Sequence, residues 1–551
     1  MKYKLIYPLL ICLLGCCSKQ RPNYLVFDTI TVFQKKNNKL SEDDLKDWQY
    51  KDIITDTIPG ISLEKTYTKI LNTKKGDEII VAVLDSRFDI DHEDLKNQIW
   101  INPDEIPDNN IDDDKNGYID DVYGWNFLGN DQGKSIIYAN YEFVRVLRRY
   151  KELHDQIQED TFSQEYKEYH QALKTYERER KKAQLFLDYA IDVNNKYVEA
   201  KAKIKKYIPD GNYTLENLKK VDTIDNDLGK YVKSIYDIID YGYSESDIEV
   251  LLRNRGIKVH QQLNLDYKER AILNDDSNNL SDTNYGNNRI SDNIDKLPHG
   301  TIVSGVIAAT RDNNIGIQGI SNHIKIMPIS VSPIGDPHDK DIALGIRYAV
   351  DNGARIINMS FGKQFSLHKK WILEAIKYAA EKDVLIVSSS GNGALDLEEI
   401  NHNYYPNDHN YGKEVANNFI MVGAITNQVD HTLLASYSNY GKKDIDLFAP
   451  GSEIYTTLPK NKYKTDSGTS MASAIVSGVA ALVRSYYPKL SANQIKEILM
   501  KSGTSYAIKV KISSKDGKSE KMIPFSELSK SGKVINAYNA LLLADRISNP
   551  K

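Results

Sequence analysis

The feature that most constrains the fold is a set of short apolar runs in which hydrophobic and polar residues do not alternate. The first is Glu78-Ile79-Ile80-Val81-Ala82-Val83-Leu84-Asp85, and others lie at 324–329, 354–360, 384–387 and 419–424. Runs of this length, rich in β-branched residues, predict strands covered on both faces, as in a parallel sheet. Helical patterns at 341–352 and 367–382 separate them. Strand, helix, strand at this spacing reads as a doubly wound α/β domain with a mainly parallel sheet.

Between 134 and 290 the texture changes. Phe143, Leu147 and Tyr150 recur at three and four, as do Tyr166, Tyr169, Leu173, Tyr176, Ala183, Leu187, Ala190, Val193 and Tyr197, with Lys, Glu and Arg filling the gaps. This predicts an amphipathic helical insertion. A long helical hairpin, broken at Pro209-Asp210-Gly211-Asn212, is expected with shorter helices near 214–221, 227–239 and 246–254. Ser246 with Glu249 reads as a capping box. The aromatic stripe reads as helix-on-helix core, and the mixed charges argue against a nucleic-acid arm. The whole chain, with 72 basic and 76 acidic residues, has no basic excess for a polyphosphate partner. At 41% hydrophobic and 27% charged it is not a polytopic membrane protein.

All three cysteines, Cys12, Cys16 and Cys17, lie in the first seventeen residues. Disulfide staples, Cys-ligated zinc and a cysteine nucleophile in the folded part are therefore excluded. Lys2 and Lys4 precede an apolar run from Leu5 to Leu14, the pattern of a secretory signal. The ending Leu13-Leu14-Gly15-Cys16 resembles a bacterial lipobox. That resemblance implies an exported protein lipidated at Cys16 and anchored to a membrane, the bacterial outer membrane being the expected one and its face left open. The expected division is a signal peptide at 1–15, a tether at 16–44, a first part of the α/β domain at 45–133, the insertion at 134–290, a second part at 291–545 and a tail at 546–551.

Three segments carry chemistry. Val81-Ala82-Val83-Leu84-Asp85 ends a buried strand on a carboxylate, at the sheet edge where ligands meet open α/β proteins. His299-Gly300-Thr301 opens an apolar helix, and Gly468-Thr469-Ser470-Met471-Ala472-Ser473 opens another on a serine. Alone, each residue has an ordinary reading as a cap, a helix start or a turn. Together, in the order Asp, His, Ser, and with Asn358-Met359-Ser360-Phe361-Gly362, Ser389-Ser390-Gly391-Asn392 and Ala449-Pro450-Gly451, they resemble a subtilisin-family serine protease (a subtilase, peptidase S8). The chain is also similar to subtilase lipoproteins of Bacteroidota.

The resemblance implies a serine endopeptidase acting on extracytoplasmic proteins or peptides. Ser470 would be the nucleophile, His299 its base, and Asp85 the residue that orients the imidazole. Asn392 would donate to the oxyanion, and Ser360, Phe361 and Gly362 would pair with an extended substrate. This chemistry needs no cofactor. The alternative is a catalytically silent lipoprotein scaffold that binds a partner through the insertion. Two positions depart from the family pattern. Arg87 stands where glycine is usual, so a positive φ there would be strained and the side chain could crowd the cleft; Ala474 replaces a proline.

Asp112-Asp113-Asp114-Lys115-Asn116-Gly117-Tyr118-Ile119-Asp120 has the start of a calcium loop, with Asp112, Asp114, Asn116, Tyr118 and Asp120 as ligand positions for a structural calcium ion. The twelfth position is Tyr123, so the usual bidentate glutamate is missing, and an Asp/Asn-rich turn is the competing reading.

Overall fold

A computed structural model of the chain describes residues 29–30, 40–72, 74–151, 163–224, 228–399, 402–513 and 520–550. Cys16 and the expected signal segment lie outside the described residues. Among the described residues no helix is long and apolar enough to cross a membrane.

The unalternated runs form the centre of a ten-stranded sheet. Its strands are β1 (Thr29–Ile30), β2 (Ile79–Asp85), β3 (Trp125–Asn126), β4 (Ile324–Ser330), β5 (Ile356–Met359), β6 (Leu385–Ser389), β7 (Phe419–Ile425), β8 (Leu447–Pro450), β9 (Thr504–Tyr506) and β10 (Lys533–Val534). The order is β1-β9-β10-β8-β7-β6-β5-β2-β4-β3, and every pair is parallel except β9 with β10. Side chains along β2 alternate between two buried layers. Val81 and Val83 join one core and Ala82 and Leu84 the other. Both faces are dry, so no polar alternation is needed, and the pattern in the sequence follows.

Among the described residues eleven α-helices have ten residues or more. The insertion contains α1 (Glu142–Lys151), the 41-residue α2 (Gln164–Ile204), α3 (Leu215–Ile224), α4 (Gly229–Asp240) and α5 (Glu245–Ile257). The α/β part contains α6 (His299–Ala308), α7 (Asp339–Asp351), α8 (Lys369–Glu381), α9 (Thr469–Tyr486), α10 (Ala492–Ser502) and α11 (Ala537–Ser548). Residues of α6, α9, α10 and α11 fill the Val81/Val83 side, and residues of α7 and α8 the other, which makes the sheet doubly wound.

Two cores hold the insertion. Tyr197, Ala200, Ile204, Leu218, Val232, Ile235 and Ile248 pack together at its far end. Nearer the sheet, Phe143, Val144, Leu147, Ala172, Ala183 and Leu187 close over Phe365 of the α/β part. The expected capping box is two residues off. Ser244 caps α5, its hydroxyl accepting from the Asp247 amide while the Asp247 carboxylate accepts from the Ser244 amide. An overlapping S-x-x-D at 244–247 takes the place of the S-x-x-E at 246–249 and starts the helix two residues earlier.

Candidate active site

Three neighbouring strands, β6, β5 and β2, deliver the site at their carboxyl ends. Asp85 is the last residue of β2, and its carbonyl accepts from the amides of Val331 and Ser332 beyond β4. Its carboxylate is buried, with the Ser86 amide donating to Oδ1 at 2.7 Å. His299 is the first residue of α6. The Ser86 hydroxyl accepts from the Gly300 amide at 3.1 Å and donates to the Leu297 carbonyl at 2.9 Å, which ties the start of that helix to the end of the strand.

His299 Nδ1 stands 2.8 and 3.0 Å from the two Asp85 oxygens. With Nδ1–H donated to the carboxylate, Nε2 is left as the basic nitrogen. Desolvation lowers the His299 pKa, although the side chain keeps 37% of its surface, but the Asp85 charge and hydrogen bond, with help from Asp466, outweigh it and raise the pKa above the ordinary value.

Ser470 is the second residue of α9, so its amide is one of the N–H groups that the helix leaves unpaired. Its hydroxyl donates to the Ser360 carbonyl at 2.9 Å. Ser360 in turn is held from below. Its hydroxyl accepts from Asn358 Nδ2 at 2.9 Å, lies 2.9 Å from the Ser473 hydroxyl, and donates to the Ser470 carbonyl at 3.1 Å. The segment Ser360-Phe361-Gly362 therefore begins as a rigid continuation of β5.

Asn392 follows β6 and is exposed. Its Oδ1 accepts from the Thr469 amide at 3.0 Å and the Thr469 hydroxyl at 2.9 Å, which orients the amide group. A Cβ placed on Gly468 would stand 3.3 Å from Asn392 Nδ2 and 3.7 Å from the Ser470 amide nitrogen. Both donors thus border one small space that glycine keeps open, suited to an oxygen that becomes negative during reaction.

Arg87 does not behave as its position in the sequence leads one to expect. Its φ is not positive, and the side chain is fully buried rather than in the cleft. Its Nη1 donates to the Arg289 carbonyl at 3.2 Å, while Nε and Nη2 have no protein partner. Burial, only partly opposed by Asp292, lowers its pKa to about 10. The neighbouring Gly300 is the glycine that matters, because a Cβ there would overlap the Arg87 carbonyl and the Phe88 ring. Ala474 is buried within α9 against the sheet.

The acidic loop is knit to the same sheet. Asp121 is buried and accepts from Asn102 Nδ2, Asn116 Nδ2 and the Tyr348 hydroxyl of α7, and burial raises its pKa to about 6 against those hydrogen bonds. The Tyr118 ring packs edge-on against Trp125, Phe127 and Tyr348. Asp112 and Asp114 lie together with Glu105, with one oxygen from each within 4.8 Å of the others. Asn116 lies beside them, its amide donating to both aspartates. Asp120 is turned toward the amides of Asn109 and Asn110. Glu105 is the member that sequence reasoning missed. It precedes the motif, so no loop template includes it. Its Oε1 accepts from the amides of Asp113 and Asp114, and its buried Oε2 has no protein partner. Three carboxylates with an unpartnered buried oxygen suit a hard, oxygen-seeking cation.

Comparison with known proteins bears on the family of the chain. A model of the subtilase family matches residues 76–521. The chain is 36% identical over 224 residues to a cell wall-associated protease of Bacillus subtilis, covering 40% of this chain and 23% of that one. It is 33% identical over 214 residues to subtilisin DY of Bacillus licheniformis, covering 39% of this chain and 73% of that one. Among solved structures, a cold adapted subtilisin-like serine proteinase is similar at 28% identity with a TM-score of 0.32, over 38% of this chain and 68% of that one.

Proposed function

Because the chain belongs to the subtilase family, we propose that it is a serine endopeptidase with Ser470 as nucleophile. The observation that carries this is the paired Asp85 and His299, which leaves a basic Nε2 at the sheet edge that also presents Ser470. In the reaction the Ser470 hydroxyl leaves the Ser360 carbonyl, gives its proton to His299 Nε2, and its oxygen attacks the scissile carbonyl carbon. The carbonyl oxygen takes up charge between Asn392 Nδ2 and the Ser470 amide. His299 then passes the proton to the leaving amine, and water releases the acyl group by the same steps with His299 as base. Asp85 keeps its charge throughout and stabilises the imidazolium.

The substrate main chain runs along Ser360-Phe361-Gly362 as an added strand, since that segment extends β5 beyond its last sheet partner. The substrates are proteins or peptides outside the cytoplasm, reached by an enzyme exported and lipid-anchored at Cys16. Glu105, Asp112, Asp114 and Asn116 hold a structural calcium ion that takes no part in hydrolysis. A fluorophosphonate probe applied to the full chain, beside Ser470→Ala and His299→Ala, tests the site. Labelling that vanishes in both variants supports the reading, and no labelling of a folded wild type overturns it.

A further inference from the structure

The space beside Ser470 and Asn392 is walled by two backbone segments, Ser360-Phe361-Gly362 and Ser390-Gly391-Asn392. The Tyr404 ring occupies the gap between them. A Cβ on Gly362 would overlap Tyr404 Cε1, Cζ and the hydroxyl, and a Cβ on Gly391 would stand 2.5 Å from Cε2 and 2.6 Å from Cζ. Each wall is glycine at the point where the ring touches it. The backbone beside Tyr404 is fixed. On the next residue, Lys363 and Tyr405 exchange amide-to-carbonyl hydrogen bonds of 2.8 Å in both directions. Burial raises the Tyr404 pKa, opposed by a hydrogen bond with Ser389, so the hydroxyl stays neutral in a filled site.

The consequence follows from the proposed attack geometry, and it rests on the protease reading above. With the scissile carbonyl carbon at Ser470 Oγ and its oxygen toward Asn392, the side chain of the residue contributing that carbonyl begins one bond further on. A backbone lying along Ser360–Gly362 directs it into the gap between the two glycine walls. We propose that Tyr404 fills this pocket and restricts the acyl-side residue of the substrate to glycine, alanine or serine. A Cβ is admitted, and a leucine or phenylalanine side chain meets the ring.

The test compares peptide substrates identical except for alanine or phenylalanine on the acyl side of the cleaved bond. Wild type should favour alanine by at least about 100-fold in kcat/KM, because a large side chain must displace a packed ring. Tyr404→Gly should raise kcat/KM for the phenylalanine substrate by about 30-fold or more, whereas Tyr404→Phe, which keeps the ring, should retain the preference for alanine. A wild type that cleaves after phenylalanine as well as after alanine overturns the proposal, as does an unchanged preference in folded Tyr404→Gly. If Tyr404→Gly does not fold, the wild-type and Tyr404→Phe profiles decide. Loss of the protease reading itself would appear separately, as absent fluorophosphonate labelling. In that case calorimetric binding of the two peptides to Ser470→Ala reads the pocket without turnover, and tighter binding of the phenylalanine peptide overturns the proposal.

Discussion

Lys363 is the residue whose replacement most directly tests how the insertion supports the catalytic part. It follows Ser360-Phe361-Gly362, its side chain is fully buried, and its Nζ lies 3.2 Å from Glu142 of α1 and 2.7 Å from Asp339 of α7. Nζ also donates to the Pro337 carbonyl at 2.7 Å. Glu142 is equally buried and accepts from the Leu367 amide at 3.0 Å and from Arg145 Nε at 2.6 Å. Burial alone would raise its pKa, but Arg145, Lys363 and His338 outweigh that and hold it well below the usual carboxylate range. At an effective dielectric constant near 20 the Lys363–Glu142 attraction is about 5 kcal/mol, offset by several kcal/mol of desolvation per ion. Solvent does not screen this pair, because both side chains are buried. Lys363→Met leaves Asp339 buried without its cation and Glu142 with Arg145 alone, and should cost about 3–5 kcal/mol in urea unfolding. Glu142→Gln should be costly on its own, and the double variant should be less destabilised than the sum of the two by at least about 1.5 kcal/mol. Because Gly362 is the next residue, kcat/KM of Lys363→Met should fall as well. A loss below about 1 kcal/mol for Lys363→Met, or strict additivity, would show that this buried ion cluster does not tie the insertion to the sheet.

Three further outcomes are expected. The acid limb of kcat/KM should have its midpoint above about 6.5, the ordinary histidine value, because Asp85 stabilises protonated His299 and the base works only when neutral; a midpoint below it would contradict the geometry. Calcium at 100 times its dissociation constant should stabilise wild type by about 2.7 kcal/mol, read as a rise in Tm over chelator-treated protein. Glu105→Gln should abolish most of that increment, and a Tm indifferent to chelator in the wild type would remove the calcium site. Arg87→Met should leave stability unchanged or raise it by about 1–2 kcal/mol, since it replaces a buried guanidinium that has two unpartnered nitrogens; a loss above about 1 kcal/mol would show that those nitrogens are satisfied.

Asp85, His299 and Ser470 were legible because each sits in a local pattern: a strand ending in a carboxylate, and two helices opened by a functional residue and packed with small side chains. The sheet was legible for a related reason, since a strand buried on both faces carries its signature in its own residues. Lys363, Glu142, Glu105 and Tyr404 were not legible. A lysine in Gly362-Lys363-Gln364 reads as a solvated loop residue, and only the arrival of Glu142 from 221 residues earlier makes it a buried cation. Tyr404 acquires meaning only through two glycines on different strand ends. Arg87 misled for the opposite reason. Its position in a motif invited a backbone argument, while its actual cost is desolvation.

The placement of the insertion has a further consequence for the order of assembly. The Asp85–His299 hydrogen bond joins residues 214 apart, and β2 pairs with strands that begin at Ile324 and Ile356. A nascent chain therefore holds Asp85 long before it has synthesised His299. Closing so long a loop as an unstructured coil would carry an entropic penalty that grows with its length. The insertion has its own core at the far end, and its two stems meet where the Tyr141 amide donates to the Gln262 carbonyl, so once formed it leaves a much shorter gap to close. Formation of the Asp85–His299 pair thus follows a piece of structure that supplies neither residue. A chain arrested before α5 is complete lacks both His299 and Ser470.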